Sequence, residues 1–333
     1  MSVSALPFDD FRALAAGLPP ADAHAEGQVR AVFAKAAARQ GQLGRVEDIA
    51  GWLAAWSGRA PPMVTRPLVA IFAGNHGVVG RGVAARPASA TAEAVEFIAA
   101  GGAAVSQACV ANDLGLKVFD LALHVPTGDI AGEAALDERG CAATMAFGME
   151  AIAGNTDLLC LAGIGVGGAT VAAALLAGLF GGAGRDWTDP AGVDAETADR
   201  RRAAVDAALA LHRDRLGDPL EALRRLGGRE FAAIAGAILA ARIEKVPVLL
   251  DGMTALAAAA VLKAADPAGL DHCLLAALPP GAGAERAADR LGLKPLLDLG
   301  LPDGQGVGAA LAAGLVKASA IVAGGTAQAF ARG

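Results

Sequence analysis

A chain of 333 residues with 54% hydrophobic side chains, 44 glycines and only 4% aromatics can bury a large core, but one built from small aliphatics. The net charge of −6 argues against a nucleic-acid groove, and MSVSALPFDDFRALAAG at the start carries acidic residues where a secretory leader would be basic. Four widely spaced cysteines, Cys109, Cys141, Cys160 and Cys273, form no CxxC pair and read as free thiols in a reducing cytoplasm rather than as disulfides or zinc ligands.

Residues 1–60 read as helices. Phe8, Phe11, Leu14 and Leu18 recur at helical spacing until Pro19-Pro20, a second helix covers 21–40, and Ile49, Trp52, Leu53 and Trp56 mark the apolar face of a third. From Arg66 onward strands and helices alternate. PLVAIFA at 67–73 is a buried strand ending in GNHGV, and a helix runs from Thr91 to near Asn112. A second strand spans 116–121, and a helix at 142–154 leads to a third strand. GGAGRDWTDPAG at 181–192 is the least regular stretch, a mobile loop by composition. A charged helix follows from 195 to about 215. Gly227-Gly228 separates the next two helices, of which the second is apolar over most of its surface. VPVLL at 246–250 is a strand closed by Asp251-Gly252, another short strand runs from Cys273 to about 278, and GQGVGAALAAGLVKASA is a glycine turn feeding the last helix.

Five strands alternating with helices imply an α/β fold: a Rossmann-like, mostly parallel sheet with helices on both faces. A small helical subdomain is expected from the two termini, with 1–60 and 301–333 flanking an α/β domain at 61–300. The stretch at 157–182 organises the rest. The apolar run from Leu158 to Ala162 is followed by Gly163, Gly165, Gly167 and Gly168, and Thr170 opens an alanine-rich helix. Strand, glycine loop and helix N-terminus present backbone N–H groups to an anion, though the same pattern also makes a merely tight turn. Residues 158–184 carry no charge and are long enough to span a bilayer. The central glycines and the lack of flanking Lys/Arg asymmetry argue against a span.

Ligands of such sheets sit at the carboxyl ends of the strands, here GNHGV, the 163–168 loop, Asp251-Gly252 and ALPPGAG. His76 suits either substrate contact or a strand-end turn, and Asp251 before Gly252 either a ligand or a turn residue. Arg200, Arg201 and Arg202 form a charge run that is a solvated helix face or meets a phosphate. His124 and His272 read as structural.

Several segments together, SVSALPFDDFRAL, VTRPLVAIFAGNHGV, CAATMAFGMEAIAG, DPLEALRRLGGRE and GAALAAGLVKA, resemble the nicotinate-nucleotide:dimethylbenzimidazole phosphoribosyltransferase family of the cobalamin lower-ligand pathway over nearly the whole chain. The resemblance implies transfer of phosphoribose from nicotinate mononucleotide to a benzimidazole nitrogen, with inversion at the anomeric carbon. It implies no metal and no cofactor. Asn75, His76, Gly163, Gly165, Gly167, Gly168, Thr170, Arg201, Asp251, Gly252, Gly304 and Gly306 are then expected to bind substrate. A carboxylate must take the imidazole proton as the nitrogen attacks. A homodimer is expected as well, because the family dimerises and the apolar helix at 231–243 needs cover on more than one face.

The polar strand-end residues depart from the family pattern. The family's base is the Glu of Gly-Glu-Gly-[Ser/Thr]-Gly-Ala-Ala-Leu-Ala, where this chain reads Gly304-Gln305-Gly306-Val307-Gly308-Ala309-Ala310-Leu311-Ala312. An amide keeps the shape but cannot accept a proton at neutral pH. Asp303, two residues away, is a possible substitute base. In Gly-Glu-x-Gly-x-x-Asn-Thr-Thr the glutamate has become Gly163 and the asparagine Gly168. A family lysine corresponds to Arg201, and a Ser-x-Glu-x-Gly stretch to Pro279-Pro280-Gly281-Ala282-Gly283. Two readings therefore stand: a working phosphoribosyltransferase, and an inactive paralogue that binds a nucleotide, a benzimidazole or a partner subunit.

Overall fold

The computed structural model describes residues 6–189, 192–302 and 304–331. In chain order the helices are α1 (Asp9–Ala16), α2 (Ala23–Gln40), α3 (Arg45–Ser57), α4 (Ser89–Ala99), α5 (Ala104–Asn112), α6 (Glu138–Met149), α7 (Gly168–Phe180), the single turn α8 (Gly184–Trp187), α9 (Ala195–His212), α10 (Pro219–Leu226), α11 (Arg229–Ile243), α12 (Gly252–Ala265), α13 (Ala282–Leu291) and α14 (Val307–Ala331). The strands are β1 (Pro67–Ala73), β2 (Gly115–Asp120), β3 (Leu158–Ile164), β4 (Val248–Asp251), β5 (Cys273–Ala277) and β6 (Pro295–Leu297). They form one parallel sheet in the order β2-β1-β3-β4-β5-β6.

Four helix starts have a plain local cause. Asp22, Asp137, Asp194 and Asp218 accept hydrogen bonds from backbone N–H groups in the first turns of α2, α6, α9 and α10, and Pro219 stands at the first position of α10. Residues of β1 and β3 alternate between two cores. Leu68, Ala70, Phe72, Leu159 and Leu161 face the layer of α6, α7 and α10–α12, whereas Val69, Ile71, Leu158 and Cys160 face α3, α5 and α14. A third cluster joins Ala25, Val29 and Phe33 of α2 to Ala50 and Ala54 of α3 and Ala323 of α14. Phe8 and Phe11, at and within α1, belong instead to the main core beside α12.

The expected parallel α/β sheet is present, with β6 added beyond the five strands read from the sequence. The helix expected from Thr91 to Asn112 is two helices. Gly101 takes φ +78° at the break, and the Phe97 ring fills the place of a Cβ on Gly102. Residues 158–184 are strand, loop and helices rather than one span. Stretches 89–112 and 307–330 are apolar and long enough to cross a membrane by length and composition. The first is the broken pair α4–α5, and the second lies on the sheet with Ala309, Ala313, Val316 and Ala320 buried. The apolar helix α11 is covered inside one chain, every residue from Glu230 to Arg242 being buried, chiefly against α6, α12 and β3. Its apolarity therefore no longer argues for a second copy.

Candidate active site

The strand order places a switch point between β1 and β3: β2 lies to one side of β1, and the rest of the sheet continues from β3 on the other. At such a point the loops leaving the carboxyl ends of the two strands diverge and leave a crevice. Those loops are Gly74-Asn75-His76 and the glycine loop 163–168. They are tied together where Gly74 N donates to Ile164 O (3.1 Å). Asn75 is buried, with Nδ2 donating to Leu123 O at 2.9 Å. The glycine loop is braced by Gly168 N donating to Gly165 O (3.0 Å) and by Val166 N donating to Thr91 Oγ1 (3.1 Å), after which Gly167 turns at φ +86° into α7. Thr170 is buried in the first turn of α7, and its hydroxyl has no hydrogen-bond partner among the described residues.

The neighbouring strand end carries Asp251 and Gly252. Asp251 is 2% exposed. Its carboxylate does not cap α12, which begins at the next residue; it accepts backbone N–H groups of Gly306, Gly308 and Ala309 at the start of α14. Burial pushes its pKa up to about 6, and those three hydrogen bonds pull the other way. Gly304 and Gly308 are pressed against this carboxylate, a Cβ on either falling within 3 Å of Asp251 Oδ1. Gly252, at φ +81°, brings the start of α12 against Gly304. Gln305 is exposed, at φ +44°, on the turn that this contact holds. Asp303 lies outside the described residues.

A cavity of about 370 Å³ opens at the carboxyl ends of β3, β4 and β5, bordered by Ala169, Trp187, Arg201, Met253, Pro280 and Pro302 among others. Ala169, Met253 and the nearby Gly283 belong to the first turns of α7, α12 and α13, whose dipoles favour negative charge. Arg201 supplies a guanidinium, its Nε donating to Val83 O at 2.9 Å. A larger groove of about 650 Å³ runs beside α5 and the edge strand β2. It has no such convergence of helix starts.

The residues named from the sequence thus fall into two contacting groups. Asn75, His76, Gly163, Gly165, Gly167, Gly168 and Thr170 gather at β1 and β3, and Asp251, Gly252, Gly304 and Gly306 gather at β4 and the head of α14. Arg201 reaches the cavity from α9. His76 is placed differently from a substrate contact. Its side chain is 0% exposed and lies 2.7 Å from Glu230 of α11. Sequence pattern alone does not mark Glu230 as functional, although it closes the segment DPLEALRRLGGRE, nor Thr91, which braces the loop, nor Thr254, which occupies the space beside Gly163. A Cβ on Gly163 would fall 2.4 Å from Thr254 Cγ2. All four cysteines are buried free thiols; burial pushes Cys109 up to about 11 and the other three higher.

A parallel α/β sheet with a glycine loop at its switch point and helix N-termini converging on a cavity at the strand ends defines an α/β protein of the class that carries its ligand site at the carboxyl ends of the strands. A family model described as phosphoribosyltransferase matches residues 18–331. The nicotinate-nucleotide–dimethylbenzimidazole phosphoribosyltransferase of Sinorhizobium fredii is 61% identical over 328 residues, 98% of this chain and 97% of its own. That of Sinorhizobium medicae is 61% identical over 96% of this chain and 95% of its own. A crystal structure of the Thermus thermophilus protein of the same name superposes with a TM-score of 0.84 at 32% identity, covering 91% of this chain and 96% of that one. The chain belongs to the nicotinate-nucleotide–dimethylbenzimidazole phosphoribosyltransferase family.

Proposed function

We propose that this protein transfers the phosphoribosyl group of nicotinate mononucleotide to 5,6-dimethylbenzimidazole, giving α-ribazole phosphate and nicotinate. The observation that carries the reading is the full-length 61% identity to relatives of that name. The site supports it. The nucleotide phosphate is held at the start of α7 by the glycine loop, with Arg201 across the cavity. The bond from the anomeric carbon to nicotinate breaks as the unprotonated benzimidazole nitrogen bonds to that carbon, and the single proton on the other ring nitrogen leaves to a base. Gln305 cannot be that base. Asp251 is already engaged by three N–H groups of α14. Asp303, two residues before Gln305 in the sequence, is assigned as the acceptor.

The test is chromatographic detection of α-ribazole phosphate from the two substrates with the purified protein. Turnover is expected, and Asp303→Asn abolishes it. Nucleotide binding by calorimetry without turnover in any buffer would refute the transferase reading and leave a binding protein. We also assign a cytoplasmic location, which the four free thiols fit, and a homodimer. Exposed Phe97, Val110 and Ile321, on α4, α5 and α14, support the dimer. Light scattering that returns a monomer at micromolar concentration would overturn it.

A further inference from the structure

His76 and Glu230 meet at 2.7 Å between Nε2 and Oε1, with side chains 0% and 1% exposed. This is an ion-pair distance rather than a well-aligned hydrogen bond, and the second ring nitrogen and second carboxylate oxygen have no hydrogen-bond partner among the described residues. Such a pair is a poor source of stability. Desolvating both groups offsets their attraction, and apolar residues of similar volume would serve the fold as well or better.

Its surroundings are unusual in another way. Glycines from three separate segments press their backbone on it. A Cβ on Gly74 would fall 2.0 Å from Glu230 Oε2, and one on Gly228 would fall 2.7 Å from His76 Cε1. A Cβ on Gly165 would lie 3.1 Å from His76 Nε2 and 3.2 Å from Glu230 Oε1, and one on Gly168 would lie 3.6 Å from the same ring nitrogen. The glycine loop therefore rests directly on the pair, which bridges the ends of β1 and β3 and the first turn of α11. Glu230 in that first turn is favoured by the helix dipole, so the pair has a fixed anchor. The loop it supports runs into Ala169 at the cavity wall.

We infer that His76 and Glu230 are positioning residues for the glycine loop and set the affinity for the nucleotide phosphate without touching it. The inference rests on the proposed function for the identity of the ligand, but not for the effect on the loop. Two variants test it: Glu230→Gln, which keeps shape and removes the charge, and the apolar double variant His76→Leu/Glu230→Met. Both are expected to fold. The KM for nicotinate mononucleotide rises about tenfold in each, whereas kcat and the KM for dimethylbenzimidazole stay within about twofold. Amide hydrogen exchange in the ligand-free protein speeds up over residues 163–170 and is unchanged in the central turns of α11.

Unchanged loop exchange in the double variant would overturn the inference, whatever the activity. So would a uniform rise in exchange with both KM values moving together, or failure of both variants to fold, since each makes the pair merely structural. Altered loop exchange in a protein that transfers no phosphoribose would sink the proposed function and leave the pair's role standing.

Discussion

Asp251→Asn probes the carboxylate that ties β4 to the head of α14. Burial raises the folded-state pKa from 3.8 to about 6. Between these values the folded chain binds more protons than the unfolded chain, so the contribution of Asp251 to stability is fully present below about pH 4 and is lost as pH rises through 6. The two pKa values correspond to about 2–3 kcal/mol lost by neutral pH. Asparagine keeps one oxygen to accept the N–H groups of Gly306, Gly308 and Ala309, and its NH₂ takes the place of Oδ2, which has no partner among the described residues. The variant should therefore match the parent near pH 4 and exceed it near pH 8, by calorimetric unfolding at the two values. An Asn variant less stable than the parent by the same amount at both would refute the reasoning. The charge on Asp251 would then be stabilised by the N-terminus of α14 as much as burial opposes it, leaving no net shift.

His272 behaves oppositely. Burial drives its pKa from 6.5 down to about 3, so stability is lost as pH falls from 6.5 towards 3, by up to about 4–5 kcal/mol, and His272→Gln should flatten that acid limb of a Tm profile. Gln305→Glu alone should change the rate of α-ribazole phosphate formation little, because Asp303 already takes the proton, but added to Asp303→Asn it should restore the rate by about 10²–10⁴-fold, the usual worth of a positioned base; a large gain from Gln305→Glu alone would show that Asp303 is not the acceptor. Gly163→Glu alone should cost about 1–3 kcal/mol by overpacking against Thr254 and Ile234. Adding Thr254→Ser, which removes the closer methyl, should recover part of that loss in a denaturation series.

Much of this architecture was legible in the residues. Runs such as PLVAIFA and LLCLAGI, buried on both faces, have few options but central parallel strands, and aspartates ahead of helices announce their caps because the bonds they make are local. The break between α4 and α5 was there to be read in Gly101-Gly102. The short strand β6 was not, since three residues carry no usable period. What the tertiary structure alone decided is which remote group fills each place at the strand ends. Asp251 passes over its own helix to cap α14, Thr254 takes the volume beside Gly163, α11 finds its cover within the chain, and His76 turns inward to Glu230 instead of outward to a ligand. Local pattern determines whether a side chain is buried. Its partner is set by the order in which β1, β3 and β4 lie side by side, and by which helix starts that order brings together.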